Sequence, residues 1–122
     1  MLYHLALVSD WEAAVAAGSY RVSTLGASLD SVGFVHTSFA HQVAGVAERF
    51  YADVRDPLLL LCIDETRLTS PWRVDPVPGS PEGFPHIYGP VDLSAVVSAT
   101  PVHRDPTGRW HGLPTPPAPT PP

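Results

Sequence analysis

The chain has 122 residues with 7 basic and 12 acidic side chains, a net charge of −5 with histidine neutral. One domain is expected at this length; apolar residues at 44% and charged ones at 16% exclude a disordered polyampholyte. The acidic balance excludes a chain that lives on nucleic acid or an anionic membrane, since both need a basic face. No apolar run approaches the roughly 18 residues that span a bilayer. The opening MLYHLALVSDW reads as mature protein, and Cys62, the single cysteine, as core packing in a reducing cytoplasm.

Leu2 to Val8 is an apolar run that predicts a first strand. The stretch Ser9-Asp10-Trp11-Glu12 has the form of a capping box opening a helix, which Gly18 stops in the left-handed conformation. Tyr20 to Leu25 predicts a brief strand, Gly26 to Ser31 a polar loop, and Gly33 to Thr37 another short strand. Ser38 then caps a second helix, whose apolar positions Phe39, Val43, Val46, Ala47 and Phe50 follow the helical period.

Pro57 precedes LLLLCID, a continuous apolar run of the kind a strand covered on both faces shows. Thr69 to Glu82 reads as loop, because Pro71, Pro76, Pro78 and Pro81 interrupt any ladder. FPHIYG follows, then a turn at Leu93 and a late strand from Ala95 to His103. Strands outnumber helices without alternating with them, which predicts an α+β fold. None of the 15 prolines precedes Pro57, and the end LPTPPAPTPP reads as an extended tail. The domain is therefore expected over residues 1–112, with the tail at 113–122.

Of the six histidines, His41, His103 and His111 read as surface residues. His4, in LYHLAL, is a polar group in an apolar strand and needs a partner: either backbone, as a core histidine, or a ligand. His36, in GFVHTS, stands with Thr37 and Ser38 where a strand meets a helix N-terminus, a place that favours an anion. His86 and Tyr88, in FPHIYG, lie two residues apart between Phe84-Pro85 and Gly89-Pro90 and project to one side of an extended backbone. The spacing of His4, His36 and His86 matches no compact metal motif, and no nucleophile elbow, P-loop or GxGxxG occurs.

YHLA, DWEAAVAAGSY, GFVHTS, HQVAGVAERFY, LLLLCID and FPHIYG, in this order from about Leu2 to His103, resemble the bacterial family called domain of unknown function 952. That family is in turn similar in pattern to the ADP-ribosyltransferase superfamily, its RNA 2′-phosphotransferases in particular. The resemblance implies a split β-sheet core with two main helices and a cleft that binds NAD or an ADP-ribose-like nucleotide. It places His4 on a ribose hydroxyl, His36 and Ser38, with Thr37, at the nicotinamide or phosphate side, and His86 and Tyr88 at the third wall of the pocket. His36, His86 and Tyr88 are then the expected catalytic group.

Two departures bear on turnover. Leu5, not glycine, follows His4, and no glutamate stands where the superfamily supplies one; Asp75 and Glu82 are the candidate carboxylates. Three readings stay open: an NAD-using transferase, a nucleotide-sensing module without turnover, and a metal-dependent hydrolase on His4, His36 and His86. Expected partners are a small nucleotide, with no nucleic acid and no membrane, on a cytoplasmic monomer or weak dimer. All three readings require the histidines to gather round an open hollow.

Overall fold

The computed structural model describes residues 1–114. In chain order the elements are β1 (Leu2–Leu7), α1 (Val8–Ala17), β2 (Ser19–Tyr20), β3 (Val22–Thr24), β4 (Ala27–Ser28), α2 (Leu29–Val32) and β5 (Val35–His36). There follow α3 (Val43–Phe50), β6 (Leu58–Ile63), β7 (Trp72–Asp75), β8 (Phe84–Ile87), β9 (Val91–Asp92), β10 (Val96–Arg104) and β11 (Trp110–His111). Short 3₁₀ turns lead into α3 at Ala40–Gln42 and into β10 at Leu93–Ala95. This is the mixed α/β architecture with few helices that the sequence predicts.

Two antiparallel sheets carry the molecule, one in the order β1-β6-β10-β11 and the other β5-β8-β7. The apolar run of β6 lies between β1 and β10, and its alternate side chains enter two different cores. Leu61 and Ile63 pack with Leu2, Tyr20, Val35 and Ile87, while Leu58 and Leu60 pack with Leu5 and the Val43, Val46 and Ala47 face of α3. A strand with core on both sides has no polar face to show, which is why the run is unbroken. The sheets meet where Tyr3 and Ser38 exchange backbone hydrogen bonds, each 2.8 Å.

Several local expectations give way to tertiary context. Ser9 lies inside α1, whose N-cap is Leu7 without a side-chain bond, because β1 runs straight into the helix. Gly18 does close α1 in the left-handed conformation. The supposed loop from Gly26 to Ser31 holds β4 and a one-turn helix with its own capping box between Ser28 and Ser31. Ser38 caps nothing, since its backbone is drawn into the bridge with Tyr3; Gln42 instead turns its carbonyl oxygen to the Phe39 amide and its amide to the Gly83 carbonyl. Phe50 is 57% exposed rather than part of the buried stripe.

The largest correction concerns residues 69–82, where Trp72–Asp75 is a strand pairing with β8 along its whole length. Prolines bound it without entering it, so the ladder survives. Pro85, inside the central strand β8, lacks an amide, but its carbonyl accepts from both the Thr37 amide and the Thr37 hydroxyl. Of the expected tail, Leu113 packs against the second core, and residues 115–122 lie outside the described residues.

Candidate functional site: a histidine pair on a carboxylate

The β5-β8-β7 sheet sets the site by register alone. His36 lies directly opposite His86, and His86 directly opposite Arg73, so the three side chains form one row across three strands. Side chains two residues along a strand share a face, which adds Tyr88 beside His86 and Asp75 beside Arg73. Phe34 stacks on the His86 ring at 4.0 Å between centroids and leaves His86 only 4% exposed.

A continuous hydrogen-bond chain runs along this row. Asp75 Oδ2 lies 2.8 Å from His86 Nδ1, and His86 Nε2 lies 3.2 Å from His36 Nδ1. An ionised carboxylate only accepts, so a neutral His86 carries its proton on Nδ1 and offers a lone pair at Nε2. His36 must then donate from Nδ1, and its own Nε2 is left bare. The Tyr88 hydroxyl also donates to Asp75 Oδ2, and Arg73 Nε donates to Asp75 Oδ1 at 2.8 Å. These bonds, that from Tyr88 foremost, hold the Asp75 carboxyl below the usual carboxylate range.

His4 holds the arrangement from behind. Its Nδ1 donates to the His36 carbonyl and its Nε2 accepts from the Tyr20 hydroxyl at 2.9 Å. Burial pushes the His4 pKa down to about 4, against the opposing effect of the bond to the His36 carbonyl. Burial, with a smaller repulsion from His86, likewise brings His36 down to about 4. Tyr20 is pushed well above its ordinary value by its own burial. Both imidazoles are therefore neutral at neutral pH.

The expected residues are thus assembled, but not all of them face outward. His4 has both nitrogens engaged and is 4% exposed, so it acts on a ligand only by fixing the backbone of His36. The Thr37 hydroxyl is taken by the Pro85 carbonyl. His36 Nε2 and Ser38 Oγ make no hydrogen bond among the described residues, and neither is among the fully buried unpaired polar atoms, so both keep contact with open space. They line a hollow of about 10 Å³ with Tyr3, His4, Val46 and Tyr51, room for about one water. The hollow expected from the sequence is therefore narrow and is reached at His36 and Ser38 alone: Phe34 covers His86, and Val43 and Val46 of α3 line it beside His36.

Of the two candidate carboxylates, Asp75 joins the site, whereas Glu82 pairs with exposed His41 at 2.8 Å. His103 and His111 stack on each other near the β10-β11 turn, away from the site. No group of three or more His, Cys, Asp or Glu side chains arranged for a metal occurs among the described residues. The reason is visible in the bonds: His4 and His86 present no free nitrogen, so the three imidazoles supply one lone pair rather than three. Larger surface hollows lie elsewhere, about 570 Å³ between Ala52–Pro57 and the β10-β11 turn and about 500 Å³ over α3 beside Glu82 and Phe84. Asp105, which lines the first, bonds His111 at 2.7 Å, and the second holds the exposed His41–Glu82 pair.

Sequence reasoning missed Arg73, Phe34 and Tyr20. Arg73 covers the Tyr88 ring at 4.5 Å and reaches its hydroxyl at 3.2 Å. The signal for it was the alternation Trp72-Arg73-Val74-Asp75, apolar and charged by turns, which is a strand pattern hidden among prolines.

No helix among the described residues is long and apolar enough to cross a membrane. The fold is shared with protein CC0527 of Caulobacter crescentus. Its crystal structure is 24% identical with a TM-score of 0.76, covering 90% of this chain and 92% of that one. The solution NMR structure of the same protein is 25% identical with a TM-score of 0.71, covering 93% and 90%. Comparison with curated proteins gives no match. The model of the family described as "Protein of unknown function (DUF952)" matches residues 6–99, which hold most of the two sheets and every member of the Asp75–His86–His36 chain, and the chain belongs to that family.

Proposed function

We propose that this protein binds NAD or an ADP-ribose-like nucleotide, with the ribose at His36 and Ser38. The observation that carries the reading is the bare Nε2 of His36, a neutral acceptor beside an unpaired Ser38 hydroxyl in an otherwise fully bonded polar row. Phe34 and Tyr88 supply aromatic surface for a base or a nicotinamide, and Arg73, 69% exposed along its side chain, supplies a cation for phosphate. The resemblance of the motif order to the ADP-ribosyltransferase superfamily supports the same ligand class. The hollow at His36 holds a water-sized group, so the body of the nucleotide lies over the Phe34–Tyr88–Arg73 rim or parts the β5-β8-β7 sheet from α3.

Calorimetry with NAD and with ADP-ribose tests this, using His36→Asn as the control variant. Asparagine keeps an amide donor toward His86 Nε2 and deletes the free nitrogen. The variant should bind at least tenfold more weakly, about 1.4 kcal/mol, while its Tm stays within a few degrees of the parent. Absence of heat with both nucleotides, or equal affinity of parent and variant, would refute the reading. Free nicotinamide appearing after incubation with NAD separates a transferase or hydrolase from a sensing module, because binding alone leaves the glycosidic bond intact.

A further inference from the structure

We infer that Asp75, His86 and His36 form a proton relay whose outlet is His36 Nε2, and that the group it acts on is a ligand hydroxyl rather than a phosphate. The relay stands on the protein's own hydrogen bonds; only the identity of the hydroxyl, that of a ribose, rests on the nucleotide reading.

The direction of the relay follows from its inner end. Asp75 receives donors at both oxygens, from Arg73, Tyr88 and His86, and so remains a carboxylate. With both imidazoles neutral, each carries hydrogen on the nitrogen that faces inward, and the last one ends in a lone pair. Phe34 stacked on His86, and His4 bonded to the His36 carbonyl, hold both rings in place. The lowered proton affinity of His36 keeps that lone pair free at neutral pH.

A hydroxyl is the group that complements this outlet. A phosphate brings acceptor oxygens and negative charge toward a lone pair, whereas a hydroxyl brings a donor. When the hydroxyl reacts, its O–H bond breaks and an N–H bond forms at His36 Nε2. The proton on His36 Nδ1 passes along the 3.2 Å bond to His86 Nε2. His36 ends as the neutral opposite tautomer and His86 as an imidazolium against the Asp75 carboxylate, where its charge is best compensated. The carboxylate that this chain lacks where the superfamily supplies one is thereby replaced by Asp75, acting through two imidazoles. His36 is the catalytic base, and His86 and Asp75 are positioning residues.

The test is to read the protonated nitrogen of each histidine by two-bond ¹H–¹⁵N correlation on the ¹⁵N-labelled full chain at pH 7. In the parent, His36 and His86 should both carry hydrogen on Nδ1. Asp75→Ala removes the acceptor of His86 Nδ1, frees that ring to donate from Nε2, and should shift His36, which Asp75 does not touch, toward the Nε2–H form. Asp75→Asn keeps a carbonyl acceptor and should restore the parent pattern. A merely structural Asp75 leaves the His36 tautomer unchanged in the folded variant. If Asp75→Ala does not fold, the parent spectrum and Asp75→Asn decide alone: His36 protonated on Nε2 in the parent overturns the relay. Added ADP-ribose should move the His36 ¹⁵N signals and inorganic phosphate should not; the reverse overturns the hydroxyl assignment. The expected tautomers without any NAD or ADP-ribose binding would remove the nucleotide reading and leave the relay standing, while nucleotide binding with the opposite tautomer would do the converse.

Discussion

Between pH 7.5 and pH 5 the protein should lose on the order of 4 kcal/mol of stability, measured by urea or thermal unfolding across that range. The loss comes from His4 and His36, both held near a pKa of about 4 in the folded protein against 6.5 in the unfolded chain. Below 6.5 the unfolded chain takes up protons that the folded state refuses until about 4. Stability is therefore full above pH 6.5 and declines as pH falls toward 4, by on the order of 2 kcal/mol for each imidazole at pH 5. The carboxyls of Asp64 and Asp75, held below their usual range by hydrogen bonds, act in the same direction at more acid pH. A flat stability profile from pH 7.5 to 5 would mean that the two imidazoles are not confined as described.

Leu61→Ala should remove about 3 kcal/mol and lower Tm by roughly 10 °C or more in thermal unfolding. Leu61 is wholly buried at the centre of β6, opposite His4 in β1 and Ala99 in β10. Its neighbours are anchored in two ladders and cannot collapse into the space that the substitution leaves, so the cavity cost adds to the lost burial. The same strand locates His4, so the variant should also loosen the bond between His4 and the His36 carbonyl and weaken nucleotide binding. A loss below about 1 kcal/mol would contradict the two-sided burial of β6.

The parts of the fold that were legible in the sequence are those whose signal is local and repeated. LLLLCID declares a doubly covered strand, and the Val43, Val46 and Ala47 spacing declares the buried face of α3. The histidine motifs were legible as a group because each is a polar residue at an apolar strand, and a buried imidazole needs a partner. What remained hidden depends on residues far apart in the chain. The two-residue strand that places Tyr20 against His4 has no pattern of its own. Ser38 looks like a cap until Tyr3, 35 positions earlier, takes up its backbone.

The failure at β7 has a different cause. Prolines at 71, 76, 78 and 81 argue against a ladder, yet the four residues between the first two carry none, and four suffice for an edge strand. Reading that stretch as loop separated Arg73 and Asp75 from the histidines they serve. The narrowness of the hollow was not legible at all, since it depends on how Phe34 and α3 settle over the sheet rather than on which residues line it.

A crystal structure of the protein with ADP-ribose addresses the site most directly. It should show a ribose hydroxyl oxygen within about 3 Å of His36 Nε2, the ligand's ring against Phe34 or Tyr88, and Asp75 still bonded to His86. Ligand seated instead in the hollow between Ala52–Pro57 and the β10-β11 turn, with His36 Nε2 untouched, would contradict the assignment of His36 as the point where chemistry meets the ligand.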